Sequence, residues 1–210
     1  MGEAVLHDYW RSSAAYRVRI VLNLKGILWR GLPLDMIGGE HKHDDYTALN
    51  PQGLVPTLEI DGHVLTQSLA IIDYLDATHK TPAMVSADPA RRARTLAQAL
   101  IVAADIHPVN NMRILNALRS DFGASEEQVR LWVQRWIAEG FAALERMAPE
   151  AGLFGGDMPD LADVCLVPQM YNARRFELDL TPYPRLVRID AAARALDPVA
   201  RAAPEAVRAG

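Results

Sequence analysis

Apolar positions fall in short runs and alternations early in the chain and settle into a helical period later. Ala4-Val5-Leu6 is a short apolar run of strand type, and after it Val18, Val21 and Leu22 recur at helical spacing. This predicts a helix from about Ala14 to Lys25, with Gly26 as its stop. Trp29 to Leu34 is a second strand candidate, and Ile37 to Asp45 reads as a polar, solvated loop opened by two glycines. Leu54 to Thr66 reads as a hairpin that turns at Asp61-Gly62. Pro56 starts its first strand and leaves the adjacent backbone without a ladder donor, so that edge could receive an extended peptide ligand. Gln67-Ser68 then opens an apolar helix, Leu69 to Leu75, with Ser68 as the expected N-cap.

Thr78-His79-Lys80-Thr81-Pro82 marks a boundary, because the alternating pattern ends there. The expected organisation is an α/β domain over 1–82 and an all-α domain over 83–210. Asp88-Pro89 begins a long helix to about Leu118, kinked at Pro108. Ser125-Glu126-Glu127-Gln128 has the capping-box form and opens a helix to about Met147. Asp160-Leu161-Ala162-Asp163 caps another, to about Phe176, and Tyr183-Pro184 precedes the last helices. The tail from Ala202 to Gly210 is expected to fray.

Composition narrows the class. The 210 residues are 50% hydrophobic and 23% charged, with a formal net charge of -4. That balance gives no general affinity for nucleic acid or for anionic membrane. No basic segment with an apolar core opens the chain, and no apolar run approaches spanning length, so a cytoplasmic protein is expected. Cys165 is the one cysteine; it sits in Val164-Cys165-Leu166-Val167 and reads as buried packing, not as a nucleophile.

The stretch from Asp8 to Ile20 concentrates the candidate chemistry. Ser12 and Ser13 stand where a strand turns into a helix, and either can cap the first turn. Such a turn offers backbone N–H groups, hydroxyl donors and a positive helix end, with Arg11 and Arg17 on either side. A thiol placed there would be partly thiolate at neutral pH. An ordinary N-cap accounts for the same residues. Ser68 marks a second helix start of this kind. His41-Lys42-His43 lacks a carboxylate–histidine pair at ligand spacing, and Lys42 repels a cation, so no metal is expected.

Taken together, these pieces resemble the glutathione transferase family, and most closely its zeta class, which contains maleylacetoacetate isomerase and maleylpyruvate isomerase. The resemblance covers nearly the whole chain. Its N-terminal marks are Arg11-Ser12-Ser13-Ala14-Ala15-Tyr16-Arg17-Val18-Arg19-Ile20, Asn50-Pro51-Gln52-Gly53-Leu54-Val55-Pro56 and Gln67-Ser68-Leu69-Ala70. Its C-terminal marks are Asp105-Ile106-His107-Pro108-Val109-Asn110-Asn111, Leu166-Val167-Pro168-Gln169, Asn172-Ala173-Arg174-Arg175-Phe176 and Asp179-Leu180-Thr181-Pro182-Tyr183-Pro184. Many zeta enzymes carry Ser-Ser-Cys; here the third position is Ala14, so the catalytic thiol is expected to be that of glutathione.

The resemblance implies a thioredoxin-like N-terminal domain that binds glutathione and a helical domain on the substrate side. It implies that Ser12 or Ser13 lowers the thiol pKa and that Val55 pairs with the cysteinyl backbone beside a cis Pro56. Gln67 and Ser68 would take the γ-glutamyl carboxylate, His41 would contact the tripeptide, and His107 is a weaker contact. Arg11, Arg113, Asn110, Asn111 and Arg175 are the expected diacid contacts, since an arginine fork matches a carboxylate bidentately. The implied activity is glutathione-dependent cis–trans isomerisation, maleylacetoacetate to fumarylacetoacetate in tyrosine degradation, by a homodimer that regenerates its glutathione. Maleylpyruvate is the alternative substrate. Two further readings remain: a transferase or dehalogenase acting on small α-halo acids, and a non-catalytic binding module of the same fold.

Overall fold

A computed structural model describes residues 3–208. It divides into two compact units, one made of residues up to Met84 together with those from Ala195 onward, the other Val85–Arg194.

The first unit holds a four-stranded sheet of order β2-β1-β3-β4, from β1 (Ala4–Asp8), β2 (Trp29–Pro33), β3 (Thr57–Ile60) and β4 (His63–Thr66). β1 pairs in parallel with β2 and antiparallel with β3, and β3–β4 is the expected hairpin. Its turn residues Asp61 and Gly62 both have positive φ, 52° and 77°, as a two-residue type I′ turn requires. Leu6 and Leu58 face each other across the ladder and are fully buried, as is most of the inner face of α1 (Ser13–Leu24) and α3 (Ser68–Thr78). His7 and Thr57 point to the other face. There Tyr46, from the short helix α2 (Asp44–Thr47), lies 5.7 Å from the His7 ring and hydrogen-bonds the Thr57 hydroxyl at 2.9 Å.

Three expectations for this unit change. Residues 40–47 are not an open loop: a 3₁₀ turn, Glu40–Lys42, and α2 fill it, and His41 is buried. The N-cap of α3 is Gln67, at φ 66°, and Ser68 is the first helical residue. The tail is ordered as far as Arg208, and residues 209–210 of the predicted frayed stretch lie outside the described residues: α10 (Asp197–Ala200) and α11 (Pro204–Arg208) belong to the first unit, and Ala202 is fully buried. Asn23 holds this segment through the Pro198 carbonyl at 2.9 Å. The first unit includes Met84, which is fully buried and whose N–H donates to Asp76 Oδ1 at 2.8 Å.

The α-helices of the second unit are α4 (Pro89–Leu100), α5 (His107–Val109), α6 (Met112–Ser120), α7 (Glu126–Met147), α8 (Leu161–Arg175) and α9 (Pro184–Arg194), with an isolated bridge, Leu153–Gly156, in the loop before α8. The long helix expected to reach Leu118 is interrupted. A π-helical stretch, Ile101–Ile106, precedes α5, and the helix ends at Asn110. Pro108 has no N–H to give back, so the wider stretch before it absorbs the mismatch. The Asn111 side chain then accepts from Arg113 N–H and starts α6 afresh. α7 opens with the expected capping box at Ser125/Gln128, and the expected cap of α8 at Asp160 is a second capping box, closed by Asp163. Val129, Val133, Ile137, Phe141 and Leu144 form the buried stripe of α7. Gly140 lets α7 approach the π-helical stretch, since a Cβ there would collide with Ile106. α8 is buried nearly along its length, and Cys165 is part of that core.

Candidate glutathione site and substrate-side residues

Strand register gathers the N-terminal site residues. His7 lies opposite Thr57, and Thr57 opposite Thr66, so the end of β1, the start of β3 and the end of β4 share one end of the sheet. The segments that continue from there are the turn through Ser12 and Ser13, the Val55-Pro56 approach and the Gln67-Ser68 helix start.

At the first, Ser12 caps α1 by accepting from Ala15 N–H at 3.2 Å. As an acceptor it keeps its hydroxyl proton to donate. The Ser13 hydroxyl has no partner among the described residues. Both serines therefore offer a proton beside the positive end of α1. Arg11 is held to one side, donating Nε and Nη2 to the Tyr9 hydroxyl at 3.2 and 2.9 Å and lying 4.9 Å from the centre of the Trp10 ring.

At the second, the Val55–Pro56 peptide is cis, and nothing among the described residues hydrogen-bonds to the Val55 backbone N–H or C=O. The preceding Leu54 carbonyl is fixed twice, by the Tyr46 hydroxyl and by Asn50 Nδ2, each at 2.6 Å. Gly53, at φ 58°, passes so close to the His41 carbonyl that a Cβ would sit 2.8 Å from its oxygen. This brings His41 beside the Val55 loop. Its Nδ1 is buried without a partner, and burial, then the charges of Lys42 and His43, hold its pKa below the usual imidazole value. His41 is thus a neutral hydrogen-bonding group at neutral pH.

At the third, Gln67 reaches back to Gln52 at 2.5 Å, joining the α3 start to the Val55 loop. Arg17 corrects the sequence reading. It is buried and donates to the Ser68 hydroxyl at 3.3 Å, so its charge serves the α3 start. The sequence signal for this was the pair of arginines at 17 and 19 within the apolar middle of α1, which implies buried partners. An unpaired backbone donor and acceptor, a neutral histidine and two positive helix ends, one with an arginine beneath it, suit an extended, anionic peptide. Glutathione has that chemistry.

The remaining candidates belong to the helical unit. His107 is half-buried at the start of α5. Asn110 is buried, and neither atom of its amide has a partner. The Trp132 indole N–H holds the break by donating to the Val109 carbonyl at 3.0 Å. Asn111, expected as a substrate contact, uses its carbonyl oxygen to cap α6. Arg113 is exposed, with no side-chain partner among the described residues. Arg175 is exposed at the end of α8, its fork on Asn172 and its plane 4.5 Å from the Phe176 ring. Among the described residues no three His, Cys, Asp or Glu side chains form a metal cluster, and no helix is long and apolar enough to cross a membrane.

Comparison with known proteins identifies the family. Residues 11–78 match the family described as glutathione S-transferase, N-terminal domain. A maleylacetoacetate isomerase of Rhizobium meliloti (strain 1021) is 49% identical over 97% of this chain and 97% of its own. A solved holo structure of maleyl pyruvate isomerase, described as a bacterial zeta-class glutathione S-transferase, superposes with a TM-score of 0.94 at 48% identity, covering 96% of this chain and 97% of that one. A maleylacetoacetate isomerase from Anaeromyxobacter dehalogenans 2CP-1, solved with dicarboxyethyl glutathione and citrate in the active site, gives 0.85 at 40% identity, covering 97% and 92%. The chain belongs to the zeta class of glutathione transferases, the family of the maleylacetoacetate and maleylpyruvate isomerases.

Proposed function

We propose that this protein is a glutathione-dependent cis–trans isomerase of maleyl keto-diacids, with maleylacetoacetate as substrate and fumarylacetoacetate as product. The observation that carries the reading is the set of unpartnered donors and acceptors at one end of the sheet: the Ser13 hydroxyl, the Val55 backbone pair and His41 Nδ1. Bound glutathione supplies the thiol that makes the substrate double bond rotatable, and it leaves unchanged.

The chain's own residues do the rest. Ser12 or Ser13 donates to the sulfur and, with the α1 dipole, favours its thiolate. Val55 N–H and C=O pair with the cysteinyl backbone beside Pro56. Gln67, Ser68 and the α3 start, with Arg17 beneath, take the γ-glutamyl carboxylate. His41 hydrogen-bonds the tripeptide as a neutral imidazole, and His107 is a second, weaker contact. Arg175 and Arg113 match carboxylates of the substrate, Asn110 offers its amide, and Asn111 keeps only its –NH₂ for that purpose. Arg11 keeps positive charge where negative charge develops on the reacting end.

Maleylpyruvate is the second reading, favoured by the 48% identity to a solved maleyl pyruvate isomerase. The assembly is proposed to be a cytoplasmic homodimer with no nucleic-acid or membrane partner. The deciding experiment is turnover of maleylacetoacetate, maleylpyruvate and dichloroacetate, each with and without glutathione. Fast, glutathione-dependent isomerisation of one maleyl compound is expected. Glutathione-independent turnover, or turnover of the halo acid alone, would overturn the reading. Glutathione binding without turnover of any of the three would leave the binding module.

A further inference from the structure

Arg19 lies two turns into α1 and is fully buried. Its guanidinium serves three segments. Nη1 donates to both carboxylate oxygens of Asp8, at 2.8 and 2.6 Å. Nη2 donates to the Trp10 carbonyl at 3.1 Å, and Nε to the Ala202 carbonyl at 2.9 Å. Asp8 ends β1, Trp10 lies in the turn that leads to Ser12, and Ala202 belongs to the C-terminal segment.

The same segment touches the turn again. The Arg208 guanidinium lies 4.6 Å from the centre of the Trp10 ring, the ring that also carries Arg11 at 4.9 Å. The turn is short, closed by Ser12 N–H on the Tyr9 carbonyl at 2.7 Å, so little backbone separates Trp10 from the serine hydroxyls. A guanidinium removed from water must keep its acceptors, since a buried charge without them is costly. The Trp10 carbonyl and the C-terminal segment are therefore locked to one rigid group.

We propose that the C-terminal segment, residues 195–208, helps set the thiol-activating turn, with Arg19 as the positioning residue. Arg19 touches neither glutathione nor substrate. It fixes the Trp10 carbonyl, and thereby where the hydroxyls of Ser12 and Ser13 stand. The inference rests on the proposed role of those serines. A hydroxyl displaced from the sulfur donates less well to a thiolate, so the pKa of the bound thiol reads the turn directly. Glutathione affinity depends on Val55, Gln67 and Ser68, which lie on other segments.

The test uses full-length Arg19→Lys, Asn23→Ala and Arg208→Ala. Lysine's compact ammonium does not span the three separated acceptors that the planar fork reaches. Asn23→Ala loosens the segment at Pro198 without changing any charge, and Arg208 is exposed. The thiolate absorbance of bound glutathione is titrated, with kcat, KM for glutathione and melting temperature alongside. The expected result is a bound-thiol pKa raised by about half a unit or more and kcat lowered about threefold to tenfold, with KM within about twofold. If Arg19→Lys does not fold, the other two variants decide. Lowered melting temperatures with unchanged thiol pKa and kcat would make Arg19 a fastener only and overturn the inference. A wild-type protein that leaves the thiol pKa at its free value would instead overturn the role of the serines, and this inference with it.

Discussion

Asn172 Oδ1 accepts from two nitrogens of Arg175, Nε at 3.2 Å and Nη2 at 2.8 Å, and so sets the plane of that guanidinium at the end of α8. The adjacent Arg174 is used differently: it pairs with the buried Asp190 at 2.6 Å. Two consecutive arginines thus divide into one that pairs with a buried carboxylate and one whose plane is set by a neighbouring amide.

Arg175→Ala should lower kcat/KM on maleyl substrates by roughly tenfold to more than a hundredfold, the loss of a charge-assisted bidentate contact worth about 1.5–3 kcal/mol. Arg175→Lys should fail nearly as badly, because a point charge does not replace the fork. Glutathione affinity, measured by calorimetry, should hardly change. Equal losses on maleyl compounds and dichloroacetate would show that Arg175 does not anchor a diacid.

The two serines should separate by stability. Ser12→Ala removes the α1 cap and should cost about 1 kcal/mol, whereas Ser13→Ala, with no partner to lose, should unfold near the wild-type denaturant midpoint. Whichever variant raises the bound-thiol pKa identifies the donor. If neither does, the hydroxyls are not what activates the sulfur.

Tyr46→Phe removes one of the two hydrogen bonds that fix the Leu54 carbonyl beside Val55. Weakening of glutathione binding by about 1 kcal/mol, or roughly fivefold, is expected, with kcat little changed. A drop in kcat at unchanged glutathione affinity would contradict a role through Val55.

The second capping box gives a pH dependence of definite sign. Burial, and then the charge of Asp160, raise the Asp163 pKa to about 6, against the N–H groups of Asp160, Gly155 and Phe154 that favour its carboxylate. The folded value lies above the unfolded value of about 3.9, so the folded state holds this proton more tightly. Its contribution to stability is full below the unfolded pKa and is lost as pH rises through the folded one, on the order of 1–3 kcal/mol. Denaturant unfolding of the wild type and Asp163→Asn between pH 4 and pH 7 tests this. The wild type should lose stability relative to the variant as pH rises, and a difference that is flat or runs the other way would refute it.

What the sequence made legible was local. Ser12, Asp88, Ser125 and Asp160 cap helices as side-chain pattern predicts, because a cap is decided within four residues. The Asp61-Gly62 turn was readable for the same reason. What it hid was tertiary. Nothing near Arg17 names Ser68 as its partner, and nothing near Ala202 says that Arg19 will bond its carbonyl. His41 reads as solvated from its polar neighbours and is buried because Gly53 lets another segment close over it. The unpartnered Val55 backbone and Asn110 amide carry no sequence signal beyond the family motif, since what marks them is the absence of a neighbour.

The packing of residues 195–208 against α1 has a consequence for synthesis. The helical unit, Val85–Arg194, is in effect an insertion within the chain of the first unit. During translation the sheet and α1 leave the ribosome early, but the acceptor for Arg19 Nε arrives only after the helical unit has been made. Until then a buried-type arginine lacks one of its partners. The turn at Trp10 therefore completes its bonding only after the helical unit has been made, so the order of synthesis separates the folding of the sheet from the locking of that turn.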